Sequence, residues 1–331
     1  LGQACSFHPE LVSEAASIAA LEASSEGLRA TFSPMIDVSR DPRWGRMMES
    51  FGEDPYVNGI MGKAMVDGYQ QKADTGIAAC LKHFAGYGAV NAGREYNDVE
   101  ISQRTFLEQY VKPFRMALKA KPAMVMTAFN AIDRKPISGN KELLKGLLRD
   151  KEGFEGTVIS DWGSIGQLEE QGVAAVQAIE AGVDIDMMSP AYMLCLEKLV
   201  ESGKIPEAFV DESAFRVLMM KNQLGLFENP FAGLGKSGKL TLHNREKAYQ
   251  LAGESCVLLK NDKILPLSMK KKVIWAGPYT ASRELLSRWS IFGEHEAVET
   301  IEDVLQKKQI EVECITGCNI LSDAECKVWQ G

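Results

Sequence analysis

The sequence has no long basic block. Apart from the short "MKKK" at 269–272, Lys and Arg are dispersed, and the net charge is -8 with a pI near 5.3. A nucleic-acid partner is therefore not expected. No apolar run approaches the length that crosses a bilayer, so no membrane partner is expected either. Histidine is scarce, with four residues far apart, and the seven cysteines are scattered at 5, 80, 195, 256, 314, 318 and 326. Only Cys314 and Cys318 sit close together, and no zinc-ligand spacing results, so neither a metal nor an organic cofactor is indicated. An odd number of dispersed cysteines reads as free, buried thiols, which leans toward a reducing, cytoplasmic compartment. The chain opens on Leu1 rather than Met, which leaves a removed signal peptide, and with it a secreted or periplasmic location, as the alternative. Internal repeats and low-complexity segments are also missing. Nothing in the sequence sets an oligomeric state.

What is there is an ordinary globular composition, 45% apolar and 25% charged over 331 residues, enough for one large domain and part or all of a second. Helical periodicity over 10–26 ends at Gly27, and "RATFSPMIDV" (29–38) reads as a strand. An Arg-rich polar loop leads to Asp54-Pro55, an N-cap followed by proline in the first turn of a helix. "IAACLKHF" (77–84) is a strand, a Gly-rich loop runs to about 101, and Ser102 caps a helix to Ala120 that Pro113 should kink. The alternation continues: strand 122–130, helix 141–150, strand 156–162, helix 167–182, strand 183–188, then helical patterns at 191–203 and 207–224. Strand and helix in strict turn predict parallel βαβ units. Long polar loops after the strands predict a TIM-like (β/α)8 barrel with its active face at the strand C-termini. Five barrel strands are visible, so the barrel is incomplete, and a doubly wound open sheet is the alternative on pattern alone. The Gly- and Pro-rich stretch that begins at "GLF" (225–227) reads as a linker, assigned to 227–243 between a barrel domain at 1–226 and a second α/β unit at 244–331. In that unit a helix (244–255), a strand (271–278), a helix (299–308) and a strand (310–318) are expected.

The polar residues that finish the barrel strands are Asp37, Lys82 and His83, Asn130, Asp161, and Asp184 with Asp186. Strand C-termini converge on one mouth, so residues far apart in sequence can meet there. Asp161 stands out, because the apolar, β-branched run "GTVIS" ends on it. A carboxylate there is costly to bury and serves either as a turn residue or as a working group. Lys82 and His83 are adjacent and should face opposite sides of a strand, so acting together requires a strand end or bulge. Arg46 has a plainer role available, pairing with Glu49, Glu53 or Asp54 in its own loop. Plain core packing is the first reading of Trp162, and Met126 suits a strand core nearly as well as a site. Asp37 could buttress Arg46 or Lys82.

The ordered set "DPRWGRMMESFGEDP" (41–55), "KHFAGYG" (82–88), "GREYN" (93–97), "VISDWG" (158–163) and "GLF" (225–227) resembles glycoside hydrolase family 3, the β-glucosidase, exo-β-glucanase and β-xylosidase group. The resemblance covers almost the whole chain, and "ESCVLLKND" followed by "LPL" is similar to the start of that family's second, α/β sandwich domain. It implies a retaining glycosidase that releases terminal β-linked sugars from oligosaccharides or β-glycosides through a covalent glycosyl-enzyme. Asp161 matches the nucleophile. Arg46, Lys82 and His83 match residues that hold the sugar hydroxyls, Trp162 the aromatic beside the ring, and Met126 a pocket contact. Gly163, small, would let the chain turn away after the Asp-Trp pair.

Three departures qualify the match. An Asp-x-x-His-Gly segment carried by the family's first barrel strand is absent, Phe129 stands where many members have Tyr, and the general acid of the family would fall beyond residue 331. The chain is thus expected to be the central part of such an enzyme, with little or no activity in isolation. Two other functions stay open at this point: a non-catalytic carbohydrate-binding or scaffold fragment, and an aldolase-type barrel using Lys82 as a Schiff base. The branch of the family that cleaves N-acetylglucosamine is disfavoured, because no His follows His83 in the next loop.

Overall fold

Three of the apolar runs pair as parallel strands in the computed structural model, which describes residues 1–71, 74–235, 242–268, 271–286, 290 and 295–320. They are β1 (Cys80–Phe84), β2 (Met124–Thr127) and β3 (Thr157–Ile159), side by side in that order. Segment 29–38 runs along β1 through parallel bridges Ala30–Ala78 and Met35–Lys82, and segment 183–188 runs along β3 through Ile159–Ile185. These two expected strands are extended segments rather than full ladders. Pro34 explains part of this, since it accepts from the Lys82 N–H but has no N–H to return. The five positions follow one another in chain order, each parallel to the last. A doubly wound sheet reverses its order at a switch point. The unreversed order, with helices between successive strands, is that of a barrel arc, and the open-sheet alternative falls.

Burial alternates along the strands as a two-sided array requires. Ala79, Leu81, Val125 and Val158 belong to the large core beneath the helices, whereas Ala78, Cys80, Met124, Met126 and Ile159 form a separate cluster on the other face. Both faces are apolar, which is why the strands read as nearly continuous apolar runs.

The helices begin and end where local chemistry dictates. Helices α1 (Pro9–Ser25) and α2 (Pro55–Gln70) pack against one another, and a Cβ on Gly68 would lie 2.1 Å from the Ser13 carbonyl oxygen. Only glycine permits so close an approach of two backbones. At the start of α2, Asp54 Oδ1 accepts from the Tyr56 and Val57 N–H groups at 2.7 and 3.0 Å. The run from Ser102 to Ala120 is helical throughout, but it widens to π-type turns over Phe106–Val111 before resuming at Lys112–Ala117. Pro113, in the first turn of the resumed helix, has no N–H to give, and the expected kink takes this form. Helix Glu142–Lys151 and α3 (Gln171–Ala181) flank β3 in sequence, followed by α4 (Ala191–Glu201) and α5 (Glu207–Gln223).

The chain divides into two compact units, Leu1–Val257 and Leu258–Gly331. Helix α6 (Leu242–Glu254) belongs to the first, where Lys247 pairs with Glu14 of α1 at 2.9 Å. The division thus falls after the 243/244 boundary expected from composition. Of the expected linker, 236–241 lies outside the described residues. The second unit contains a parallel pair, Ile274–Ala276 with Glu313–Ile315, and helix Ile301–Lys307 opened by a Thr300/Asp303 capping box. The thiols differ from expectation: of the six described, all free, Cys80 is buried while Cys256 and Cys318 are exposed.

Candidate active site

The local structure of β1 brings its end residues into one site. Leu81 pairs with Val125 and Phe84 with Thr127, so β1 carries one more residue than β2 over this interval, and the ladder bulges at Lys82-His83. The peptide bond between these two residues is cis. Lys82 is half-buried and His83 fully buried. The His83 backbone N–H and ring Nδ1 both meet Asp37 Oδ2, at 3.0 and 2.8 Å. On the opposite side of the ring, Nε2 lies 3.3 Å from Asp161 Oδ2. Three of the strand-end residues therefore form one buried line, Asp37–His83–Asp161. Asp37 buttresses His83, not Arg46 or Lys82.

Asp161 sits just past β3 in a tight turn. Its Oδ1 accepts from the Trp162 N–H at 2.7 Å, and its carbonyl accepts from the Ser164 N–H at 3.0 Å. Gly163 has φ 69° with no atom within 4 Å of where a Cβ would be. The turn thus needs glycine for its left-handed backbone; room alone would not have required it. The Ser164 hydroxyl continues the anchor through Ser138 (2.8 Å) to Thr127 at the end of β2 (2.7 Å). Asp161 Oδ2 is buried and has no hydrogen-bond partner, although His83 Nε2 lies 3.3 Å away. Leaving such an acceptor unmatched costs about 1–3 kcal/mol.

An aromatic wall stands behind this line. Tyr87 packs edge-on against both His83 and Trp44, with ring centroids 5.3 Å apart in each pair, and Phe129 bridges Tyr87 (5.9 Å) to Tyr96 (4.9 Å). The Tyr87 hydroxyl donates to Glu95, and burial followed by that carboxylate raises its pKa. Arg46 takes up the plainer role foreseen for it, with Nε and Nη2 on Glu49 at 2.6 and 2.9 Å, and its guanidinium lies 5.7 Å from the Tyr87 ring centre. Burial opposes the charge on Arg46, but the Glu49 hydrogen bond and the charges of Glu49 and Asp37 outweigh it and raise the pKa. Burial likewise pushes Glu49 up, yet the Arg46 hydrogen bond and charge, with the charge of Lys82, outweigh it and lower the pKa.

Other strand-end residues lie elsewhere or serve the fold. Asp184 is buried between Arg149 (2.7 Å) and Arg216 (3.0 Å) and accepts from the Val158 N–H at 2.8 Å. It ties β3 to α5 rather than facing the mouth. Asp186 accepts from the Ser189 hydroxyl and the Tyr192 N–H, fixing the entry to α4. Asn130 is buried with its Oδ1 unpartnered. Met126 is 2% exposed among Ala78, Cys80, Met124 and Ile159, so core is its observed setting. Trp162 is 58% exposed, which overturns the core alternative for that residue. The roles of Tyr87, Glu95 and Trp44 escaped sequence reasoning, although the "KHFAGYG", "GREYN" and "DPRWGR" segments contain them.

Residues 1–220 match the glycosyl hydrolase family 3 N terminal domain. The chain is 39% identical over 312 residues to a periplasmic beta-glucosidase of Salmonella typhimurium, covering 88% of this chain and 41% of that protein. It is 38% identical over 296 residues to a putative beta-xylosidase of Formosa agariphila, covering 84% of this chain and 39% of that protein. Among solved structures, a beta-glucosidase from Listeria innocua in complex with glucose superposes with a TM-score of 0.91 at 42% identity, over 99% of this chain and 47% of that one. The chain spans about two fifths of the length of the curated relatives it matches. Barrel arc, strand-end carboxylate and family match over residues 1–220 agree: the chain belongs to glycosyl hydrolase family 3.

Proposed function

We propose that this chain supplies the nucleophile and the hydroxyl-binding side of a retaining β-glycosidase acting on terminal β-linked glucose or xylose. The observation that carries the proposal is the asymmetry of Asp161, one oxygen held by the turn and the other buried with no hydrogen bond. Oδ2 attacks the anomeric carbon and forms an ester bond as the glycosidic C–O bond breaks. The leaving oxygen takes the bonding pair and a proton from an acid, and water, giving its proton to the same base, then hydrolyses the ester with net retention. Arg46, Lys82 and His83 hold sugar hydroxyls, which requires Arg46 to share or exchange its Glu49 contact. Trp162 offers an open apolar face to the ring, and Met126 backs the pocket from the inner cluster. The acid must stand roughly 5–5.5 Å from the nucleophile. We place it in a part of the protein outside these 331 residues and expect low turnover from the isolated chain. The cytoplasmic expectation finds no support among the relatives. The name of the Salmonella protein favours the secreted or periplasmic alternative. No observation favours a Schiff base on Lys82.

A 2-deoxy-2-fluoroglucosyl fluoride tests the nucleophile without the acid, because fluoride departs unprotonated. Mass spectrometry is expected to find the fluorosugar ester on Asp161, and Asp161→Asn should lower labelling by at least about 10⁴-fold. Labelling at another carboxyl, or undiminished labelling of the variant, overturns the proposal.

A further inference from the structure

We infer that Asp37 is the positioning residue of this site: it keeps the proton of His83 on Nδ1, so that Nε2 faces Asp161 without a hydrogen. This deepens the proposed function and rests on it. Both ring nitrogens face a carboxylate, but only Nδ1, 2.8 Å from Asp37 Oδ2, makes a hydrogen bond, whereas Nε2 at 3.3 Å from Asp161 Oδ2 makes none, so Nδ1 is the nitrogen that carries hydrogen. The same oxygen accepts the His83 backbone N–H at 3.0 Å, so ring and main chain are clasped by a single atom. Asp37 Oδ1 is buried with no hydrogen-bond partner, so the hydrogen bonds of the Asp37 carboxylate go to His83. The main chain of Asp37 is itself pinned, its carbonyl accepting from the Ser50 hydroxyl at 2.6 Å. Tyr87 packs edge-on against the imidazole, with ring centroids 5.3 Å apart.

The consequence reaches the nucleophile. Were the proton on Nε2, 3.3 Å from Asp161 Oδ2, the ring would donate to the lone pair needed for attack. With the proton on Nδ1, both Nε2 and Oδ2 are acceptors facing one position, which a sugar hydroxyl fills by donating. The open Oδ2 of Asp161 is thus a product of the clasp on the far side of the ring.

The ¹⁵N chemical shifts of the imidazole nitrogens report the tautomer directly, and four histidines keep the spectrum assignable, with His83→Gln identifying the signal. In the wild-type chain the His83 ring is expected with hydrogen on Nδ1 and none on Nε2. An Nε2-protonated ring or an imidazolium overturns the inference without recourse to any variant at Asp37. In Asp37→Asn the Nε2-protonated form should appear. The maximal rate of labelling by the fluorosugar should then fall about 10- to 100-fold, as for misplaced groups generally, with its half-saturating concentration held within about threefold. An unchanged tautomer with an unchanged rate also overturns it. Because the spectrum needs no turnover, failure of wild-type labelling at Asp161 would sink the glycosidase proposal while leaving the tautomer to decide the role of Asp37.

Discussion

Replacing Gly163 by alanine adds a methyl group in open space, but on a backbone at φ 69°. The expected cost is about 1–2 kcal/mol of left-handed strain, visible in denaturant unfolding. Relief of that strain would shift the turn that holds Asp161 Oδ1, so the labelling rate should fall in the same variant. The apolar β-branched run that stops on Asp161 leaves turn residue and working group both open, and it is the resemblance carried by "VISDWG" that singles the residue out. Asp37 was visible as a strand-end carboxylate, but its partner was not. Nothing in the spacing of residues 37 and 83 says that the bulge in β1 turns His83 toward Asp37 rather than Lys82. Trp162 and Met126 show the same limit. Each has a core reading available beside the site reading, and only the fold separates a residue 58% exposed from one 2% exposed.

At the level of elements, Asp184 shows how a residue can share a strand-end position yet belong to the architecture. Its carboxylate joins Arg149 of helix Glu142–Lys151 and Arg216 of α5 to the Val158 amide of β3. Asp184→Ala would leave the buried guanidinium of Arg149 without its ion-pair partner and Arg216 with only the exposed Glu212, 3.4 Å away. A loss of about 3–5 kcal/mol is expected, read by thermal or denaturant unfolding. Helices were easy to foresee because their ends have local chemistry, such as the Asp54 cap and Gly182 at the close of α3, in the left-handed conformation with φ 91°. Strands at the two ends of the arc were less so, since Pro34 interrupts a ladder whose apolar pattern looked continuous.

For the whole molecule, burial of tyrosine has a consequence at high pH. Burial raises the pKa of Tyr69, Tyr87, Tyr110 and Tyr192, with Glu95 adding to the effect at Tyr87 and Asp184 at Tyr192. A folded pKa above the unfolded value favours the folded chain while the group stays protonated. That stability is complete below the ordinary tyrosine pKa of about 10 and drains away as pH rises past it. Phenolate absorbance of the native chain is expected to lag behind that of the chain in denaturant, and the melting temperature to drop over the same alkaline range. Coincident native and denatured titrations would refute this. The division into two units was legible only approximately: composition marked a Gly- and Pro-rich stretch, whereas α6 beyond it packs back on α1 through Lys247 and Glu14. Such tertiary contacts carry no signature in local composition.

The bulge in β1 also limits how the gene for this chain can change. Deleting the codon for Lys82 would make the ladder regular: Leu81 and Phe84 could keep their partners, but one position instead of two would remain between them. His83 would then be an ordinary ladder residue without the bulge that turns it toward Asp37, even though the codons for Asp37, His83 and Asp161 all survived. Substitutions along β1 are graded in their effect, while a single-codon insertion or deletion there is all or nothing. The spacing from Leu81 to Phe84 should therefore be harder for drift to alter than the identity of any one residue within it.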